Sequence, residues 1–376
     1  MKILFISMPS VHAIRWIENL KDTAFELYWY DVTNRGKLNV FGSVKQFAEM
    51  NQRKRSSLKG EYTLSKKFPE LYERIRPLLE VTENEALEKI ILEIKPDVIH
   101  SFEMQTCSYP ILKTMNKFPN IKWIYSCWGS DLFYYRNIPM HNKKIKNVLK
   151  RVNFIHTDCQ RDFDIAKELG FKGTHLGNIP GGSGYDIEAI DRIKIPVSQR
   201  KIILVKGYQH FFGRALNVVK ALEQIRNLLT GFDVVIFGAH QPIADYVENK
   251  KLDFKVLGRN DLSHPKMMEL MSKSLIYIGN SISDGMPNTM LEAMVCGAFP
   301  IQSNPGNVTA EVITDGSNGL LIDDPENITA IAEKIAYALA NPQLLAQAAA
   351  DNHKFASAQL DYKTVRKKII TLYSAI

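Results

Sequence analysis

Two acids, Asp284 and Glu292, stand seven residues apart in the stretch SDGMPNTMLEAMVCGAFPIQ. The run Leu275-Ile276-Tyr277-Ile278 ahead of them reads as a buried strand. Gly285 and Pro287 break it, and Pro287 stands where a first helical residue is expected, a place where its missing N–H costs nothing. Met290, Leu291, Ala293 and Met294 continue as a helix, and Gly297 ends it. Unpaired backbone N–H groups and the helix dipole make such a start attractive to phosphate. A carboxylate beside an anion site needs a different partner, and vicinal sugar hydroxyls donate to it in bidentate fashion. Phosphates at the helix tip with a sugar on either side describe a nucleotide-sugar. Read alone, either acid does no more than favour a helix N-terminus.

The acid-x7-Glu pattern, with Gly285-Met286-Pro287, Leu291-Glu292-Ala293-Met294 and Gly297 around it, resembles the signature of retaining glycosyltransferases of family four. Many members carry Glu where this chain has Asp284. A second strand end, Trp128-Gly129-Ser130-Asp131, resembles a subgroup of the same family; elsewhere in the family a His that contacts the transferred sugar often stands at the place of Trp128. The resemblance implies the GT-B fold: α/β, two doubly wound parallel-sheet domains facing a central cleft. It also implies roles. Asp284 accepts from the donor sugar and Glu292 from the ribose. Gly285, Met286, Pro287, Asn288, Thr289 and Met290 form the pyrophosphate cradle, with Gly207 in the turn after an earlier strand. Leu257-Gly258-Arg259 lies near the base, where backbone groups read its edge.

The elements that must carry these residues follow from periodicity. Strands are predicted at Ile3–Ser7, Leu27–Val32, Asp97–Phe102, Trp123–Cys127, Phe154–Thr157 and Thr174–Leu176, with helical patterns between them, the longest from Phe68 to Ile94. Alternation of this kind means a parallel sheet covered on both faces, with ligands beyond the carboxyl ends of its strands. The loop Met8–His12 is one such place. His12 opens the next helix there, as a substrate contact or as a capping or core residue. Asp131 either orients a sugar hydroxyl or caps a helix. A second alternating unit starts at Lys201 with Ile202–Val205, Val234–Gly238, Lys255–Gly258, the strand before Asp284, Phe299–Ser303 and a last strand near Leu320. Glu311 is expected on a helix after Phe299–Ser303. Family members carry Arg just after the first of these strands and Lys near the next helix start. Here Tyr208 takes the Arg place, while Lys206 and Arg214 flank the segment. As a pair they would stabilise a departing diphosphate; singly, each reads as a surface charge.

Gly177 to Asp186, GNIPGGSGYD, cannot hold a regular element and reads as the joint between domains in preference to a phosphate loop, since the GxxxxGK[ST] spacing is missing. The expected division is 1–180 for the acceptor, 181–198 as hinge, 199–358 for the donor, and 359–376 as a helix that crosses back to the first domain. The 376 residues, 45% hydrophobic and 23% charged, suit a soluble globular protein of about two domains. No run suits a membrane span, and MKILFISMPSVHAIRW is interrupted too often for a signal peptide. Cys107, Cys127, Cys159 and Cys296 have no metal or disulfide spacing, which fits a reducing cytoplasm. The net charge of +8 lies wholly in residues 1–180, with 28 basic and 20 acidic residues, against 20 and 20 in the remainder. Its densest part, HNKKIKNVLKR from His141 to Arg151, is an amphipathic pattern that reads as a solvated face or as a contact to the anionic inner face of the cell membrane. No stacking platform accompanies the basic residues, so nucleic acid is not an expected partner.

The expected activity is metal-independent transfer of a hexosyl or N-acetylhexosaminyl group, with retention, from a nucleotide-sugar, UDP-linked by family prior, to a saccharide or lipid-linked acceptor. No DxD motif stands in a suitable loop, so no metal and no cofactor are expected. The alternatives are a nucleotide-sugar 2-epimerase of the same architecture and a non-catalytic nucleotide-sugar-binding module.

Overall fold

The computed structural model describes residues 1–39, 42, 44–179 and 183–376. The chain divides into two compact units. The first comprises Met1–Thr157, Asp162–Asn178 and Ile369–Ile376, the second Asp158–Arg161 and Ile179–Lys368.

The first unit holds seven parallel strands: β1 (Lys2–Ser7), β2 (Glu26–Asp31), β3 (Lys45–Phe47), β4 (Val98–Phe102), β5 (Lys122–Ser126), β6 (Phe154–Thr157) and β7 (Thr174–Asn178), in the order β3-β2-β1-β4-β5-β6-β7. The central strands are buried along nearly their whole length, so they show no alternation of apolar and polar residues, and β4 (VIHSF) buries His100 and Ser101 as well. The three residues of β3 are too few to show periodicity, and they were not expected. The long pattern from Phe68 to Ile94 is two helices, Pro69–Leu79 and Glu83–Ile94. The break is local: Glu80 is extended, and Thr82 with Glu85 forms a reciprocal capping box that starts the second helix. The basic helix is Pro139–Arg151, with Ile145, Val148 and Leu149 buried.

The second unit holds β8 (Ile202–Lys206), β9 (Asp233–Ala239), β10 (Phe254–Gly258), β11 (Ser274–Gly279), β12 (Phe299–Ser303) and β13 (Leu320–Ile322), all parallel, in the order β10-β9-β8-β11-β12-β13. In both sheets the order reverses beside the first strand, between β1 and β4 and between β8 and β11. Chain connections leave in opposite directions there, and the loops diverge to open a crevice at the carboxyl ends.

Of the expected hinge, Gly181 and Gly182 lie outside the described residues. From Ser183 onward the segment is built into the second unit. Tyr185 N–H donates to the Leu360 carbonyl at 2.8 Å, Asp186 caps helix Ile187–Asp191, and Tyr185, Ile187 and Ile190 are buried, so this unit begins well before residue 199. Glu311 lies in a 3-10 turn, Thr309–Glu311, and not on an α-helix. The helix Tyr362–Ser374 ends within the first unit, where the buried Tyr373 hydroxyl accepts from Trp16 Nε1 at 2.7 Å and meets His100 Nδ1 at 2.5 Å. No helix among the described residues is long and apolar enough to cross a membrane.

Candidate active site

The switch point of the second sheet carries two loops, residues 207–214 after β8 and residues 280–287 after β11. They are zipped together. Arg214 N–H donates to the Asn280 carbonyl at 2.9 Å, Ile282 N–H to the Phe212 carbonyl at 2.9 Å, and Gly213 bridges Ser281. Gly207 makes the first turn fit: a Cβ there would lie 2.7 Å from Ala239 Cα. Its N–H donates to the Phe237 carbonyl at 2.8 Å, while its own carbonyl accepts from His240 N–H at 3.1 Å.

This zip gathers Lys206, Tyr208, His210, His240 and Asp284. Lys206 Nζ lies 4.7 Å from the Tyr208 ring centre. The rings of Tyr208, His210 and His240 pack at centroid distances of 5.6–5.9 Å. His210 Nδ1 accepts Phe212 N–H at 3.1 Å, so the neutral imidazole carries its proton on Nε2 and presents a donor. Burial holds His210 below its ordinary pKa, helped by His240 and Lys206 and, more weakly, by Arg259, while Asp284 pulls the other way. A neutral N–H donor, a lysine and a carboxylate therefore share one field.

The helix after this loop is Asn288–Cys296, ended by Gly297 in the left-handed region at φ 76°. Pro287 is its N-cap residue, extended at ψ 107°, and not its first helical residue. Met290 N–H is engaged by the Pro287 carbonyl at 3.0 Å, which removes Met290 from the expected phosphate donors. Asn288 and Thr289 are half-buried at the tip, and Gly285, Met286 and Pro287 are buried beneath it. Tyr277 is buried under the same place; burial pushes its phenol up, with the charges of Asp284 and Glu292 adding to the effect.

The two acids differ in their surroundings. Asp284 is half-buried, and its carboxylate has no hydrogen-bond partner among the described residues. Its backbone is braced, because Arg161 donates to the Asp284 carbonyl at 2.7 Å and to the Pro305 carbonyl at 2.6 Å. Glu311 in turn accepts from the backbone N–H groups of Gln160 and Arg161 at 2.7 and 2.9 Å. Glu292 is only 4% exposed and lies 2.7 Å from His264 Nε2. His264 opens helix His264–Ser272, so the imidazole reaches Glu292 from a neighbouring helix start.

Arg214 is turned onto its own surroundings. Its guanidinium pairs with Glu326 and donates to the carbonyls of Phe211 and Gly213 at 3.2 and 3.0 Å. Arg259 is exposed just after β10, and the Gly258 N–H is engaged by Asp261 at 2.7 Å, so that donor does not offer itself to a base edge.

In the first unit, His12 and Trp128 come together with ring centroids 5.7 Å apart. Ser10 caps the helix that carries His12. Asp131 is 3% exposed and turned inward. It accepts from the Tyr125 hydroxyl at 2.5 Å, Trp128 N–H at 3.0 Å, Met104 N–H at 3.1 Å and Cys127 Sγ at 3.2 Å. Burial pushes it up to about 6, against those hydrogen bonds. Asp131 turns its oxygens to the protein's own donors and does not cap its own helix, whose N-cap is Gly129. It holds the loop that presents Trp128.

Two family descriptions match the sequence. Residues 186–355 match Glycosyl transferases group 1, and residues 73–159 match Glycosyl transferase 4-like. The chain is a glycosyltransferase of the GT-B superfamily. Similar folds include sucrose-phosphate synthase from Thermosynechococcus elongatus, with 14% identity, a TM-score of 0.73 and coverage of 100% of this chain and 98% of that one. A Rickettsia africae glycosyltransferase matches with 15% identity, a TM-score of 0.67 and coverage of 100% and 98%. Anabaena HepE in complex with UDP-glucose matches with 15% identity, a TM-score of 0.65 and coverage of 100% of both chains. No curated protein matches the sequence significantly. The GT-B reading from Asp284 and Glu292 thus agrees with the matched group 1 segment, which contains the whole zipped-loop site of this glycosyltransferase. His210, His264 and Arg161 were not expected. Arg161 and His264 gain their places from partners far away in sequence, and His210 meets His240 and the neighbouring loop only once the chain is folded, so no local spacing marks them.

Proposed function

We propose that the protein is a retaining transferase of family four. It moves a hexose or N-acetylhexosamine from a uridine-diphosphate sugar to a saccharide or lipid-linked saccharide in the synthesis of cell-envelope polysaccharide or glycolipid. The observation that carries this reading is the zip between the loops after β8 and β11, which gathers Lys206, His210 and Asp284 ahead of the helix Asn288–Cys296. The matched neighbour that holds UDP-glucose supports a donor of that class.

In this reading the pyrophosphate lies at the tip around Thr289, within the positive field of Lys206. Arg214 joins it only by leaving Glu326. Glu292 accepts from the ribose hydroxyls and shares its charge with His264. Asp284, with open oxygens and a braced backbone, accepts from hydroxyls of the transferred sugar. The bond from the anomeric carbon to the diphosphate oxygen breaks, and the acceptor hydroxyl attacks from the same face. Its proton leaves with the diphosphate oxygen. Lys206 and the His210 Nε2–H stabilise the charge that develops there, as preorganised donors in a partly dry site do. Positive charge and oriented N–H groups do the electrostatic work for which other transferases use a metal. The first unit, where His12 and Trp128 meet, takes the acceptor.

The test is a melting-temperature screen with nucleoside diphosphates, followed by donor turnover. UDP is expected to raise the midpoint most, because a ligand of the native state stabilises it. A donor panel should then give slow release of UDP and, with acceptor, a product that keeps the anomeric configuration. An inverted product ends the retaining assignment, an altered sugar stereocentre indicates an epimerase, and no shift with any nucleotide ends the donor assignment.

A further inference from the structure

The first two helices between β3 and β4 are built the wrong way round for water, unlike Glu83–Ile94 after them, which buries its apolar face. Helix Glu61–Lys67 buries none of its residues, and helix Pro69–Leu79 buries only Leu79. What holds the pair together is polar. Glu61 takes a two-point contact from Arg53 at 2.6 and 2.8 Å and the Tyr72 hydroxyl at 3.0 Å, while Arg76 pairs with Glu73, Glu80 and Glu83. The apolar residues point outward. Leu58, Tyr62, Phe68, Leu71 and Leu78 are 54, 76, 59, 49 and 63% exposed. Leu71, Ile75 and Leu78 follow one another at four- and three-residue steps on the helix Pro69–Leu79 and so share one face, with Phe68 at its N-cap. A polar clasp inside and an apolar face outside mark a surface that meets another phase or partner.

The charges around that face select the partner. Arg55, Lys59, Lys66, Lys67 and Arg74 are exposed, and none of them forms an ion pair among the described residues. Arg74 lies between Leu71 and Leu78 on the helix Pro69–Leu79, and Lys66 and Lys67 end the helix before it. Their stems can lie on apolar surface while the charged heads stay in water. We propose that residues 58–78 form a monotopic membrane element, which seats Leu58, Tyr62, Phe68, Leu71 and Leu78 at the acyl boundary of a bilayer whose anionic headgroups neutralise the five cations. A second copy of the chain is a poorer occupant. A two-fold contact through this face would set the same cations against themselves.

The basic helix Pro139–Arg151 makes a useful contrast. Lys143, Lys144, Lys146 and Lys150 are exposed, but its apolar residues Ile145, Val148 and Leu149 are buried in the core, which leaves Met140 as its one exposed large apolar side chain. It offers charge with little to insert. The pair of helices before it offers both, and a stable reversible contact with an anionic bilayer takes both. This inference rests on the surface of the first unit and is independent of the donor chemistry.

The experiment is sedimentation of the full chain with vesicles, of phosphatidylcholine alone or of equal parts phosphatidylcholine and phosphatidylglycerol. The wild type should bind the anionic vesicles and leave the neutral ones. Lys66→Glu/Lys67→Glu/Arg74→Glu should weaken binding about a hundredfold, because each cation near the surface contributes about fivefold. Leu71→Glu/Leu78→Glu should weaken it about tenfold or more through lost burial and added repulsion. Both variants change exposed side chains, so the melting midpoint and its rise with UDP should stay as in wild type. The proposal is overturned if the wild type binds neither vesicle, or both alike. It is also overturned if the leucine pair has no effect, or if Lys143→Glu/Lys146→Glu/Lys150→Glu costs as much as the reversal of Lys66, Lys67 and Arg74. A concentration-dependent dimer that the leucine pair dissolves, with vesicle binding intact, assigns the face to a second copy instead.

Discussion

Asp131 and Asp284 follow strands of two sheets that share one topology, and they have opposite fates. Asp131 follows β5 in the first unit and is filled by four internal donors, two of them backbone N–H groups. Asp284 follows β11 in the second unit with its carboxylate unfilled among the described residues and its backbone braced by Arg161. A carboxylate whose lone pairs are already used can position a loop, but it cannot also take a ligand's hydroxyls. The difference lies in which groups stand around each acid, because both are aspartates just beyond a buried strand.

The largest expected effect tests the open acid. Asp284→Asn should lower turnover by about a hundredfold to a thousandfold, the range seen when one preorganised transition-state contact is lost. Its denaturation midpoint should stay near that of wild type. A stability loss without a turnover loss would make Asp284 another Asp131. The converse substitution, Asp131→Ala, leaves the Tyr125 hydroxyl and two backbone N–H groups buried without acceptors and should cost about 3 kcal/mol of stability. Denaturant unfolding measures this. Unchanged stability with weakened acceptor binding would return Asp131 to the role of a sugar contact.

Glu292 lies between the two cases, since it is buried and meets the His264 imidazole. Glu292→Gln should weaken UDP binding by about 1–3 kcal/mol through loss of charge-assisted hydrogen bonds. Calorimetric titration reads it directly, and His264→Ala should do less than Glu292→Gln. An equal or larger effect from His264→Ala would mean that the imidazole, and not the acid, meets the nucleotide.

The smallest effect concerns pH and sharpens the contrast from the side of the first unit. His100 is held well below its ordinary 6.5 and His156 at about 3, both chiefly by burial. Their folded-state values lie below the unfolded one, so the stability they contribute is present above pH 6.5 and falls as pH drops from there toward the folded values. Glu103 and Asp131 act with the opposite sign. Burial pushes them to about 7 and about 6, so the stability they contribute is present at low pH and is lost as pH rises through those values. His156→Phe should therefore flatten the acid side of a plot of stability against pH by up to one proton's slope. An unchanged acid slope would show that His156 titrates as freely in the folded chain as in the unfolded one.

Much of this architecture was legible in the chain. Buried parallel strands announce themselves as apolar runs, and the predicted bounds of β6 and β12 agree with those observed. β3 was too short to show a pattern, and the split at Glu80–Thr82 depends on a cap that a continuous apolar periodicity hides. At the site, the acid-x7-Glu spacing and the helix stop at Gly297 were readable because they are local. His210 beside Lys206 and Asp284 was not, since the zip that gathers them joins residues about seventy positions apart. Asp131 was read as open to two roles because nothing in Trp-Gly-Ser-Asp tells that Met104 and Tyr125 will consume its oxygens.

Tyr373 has a last consequence, for the order in which the protein can be made. Its hydroxyl completes a buried chain through His100, Ser126 and His156 under β1, β4, β5 and β6, with His100 Nε2 2.7 Å from Ser126 Oγ and His156 Nδ1 3.0 Å from it. Residues 369–376 are translated only after the whole second unit. The first unit's buried chain therefore closes only after residues of the second unit have been made, and its folding is tied to a segment far from the rest of it in sequence.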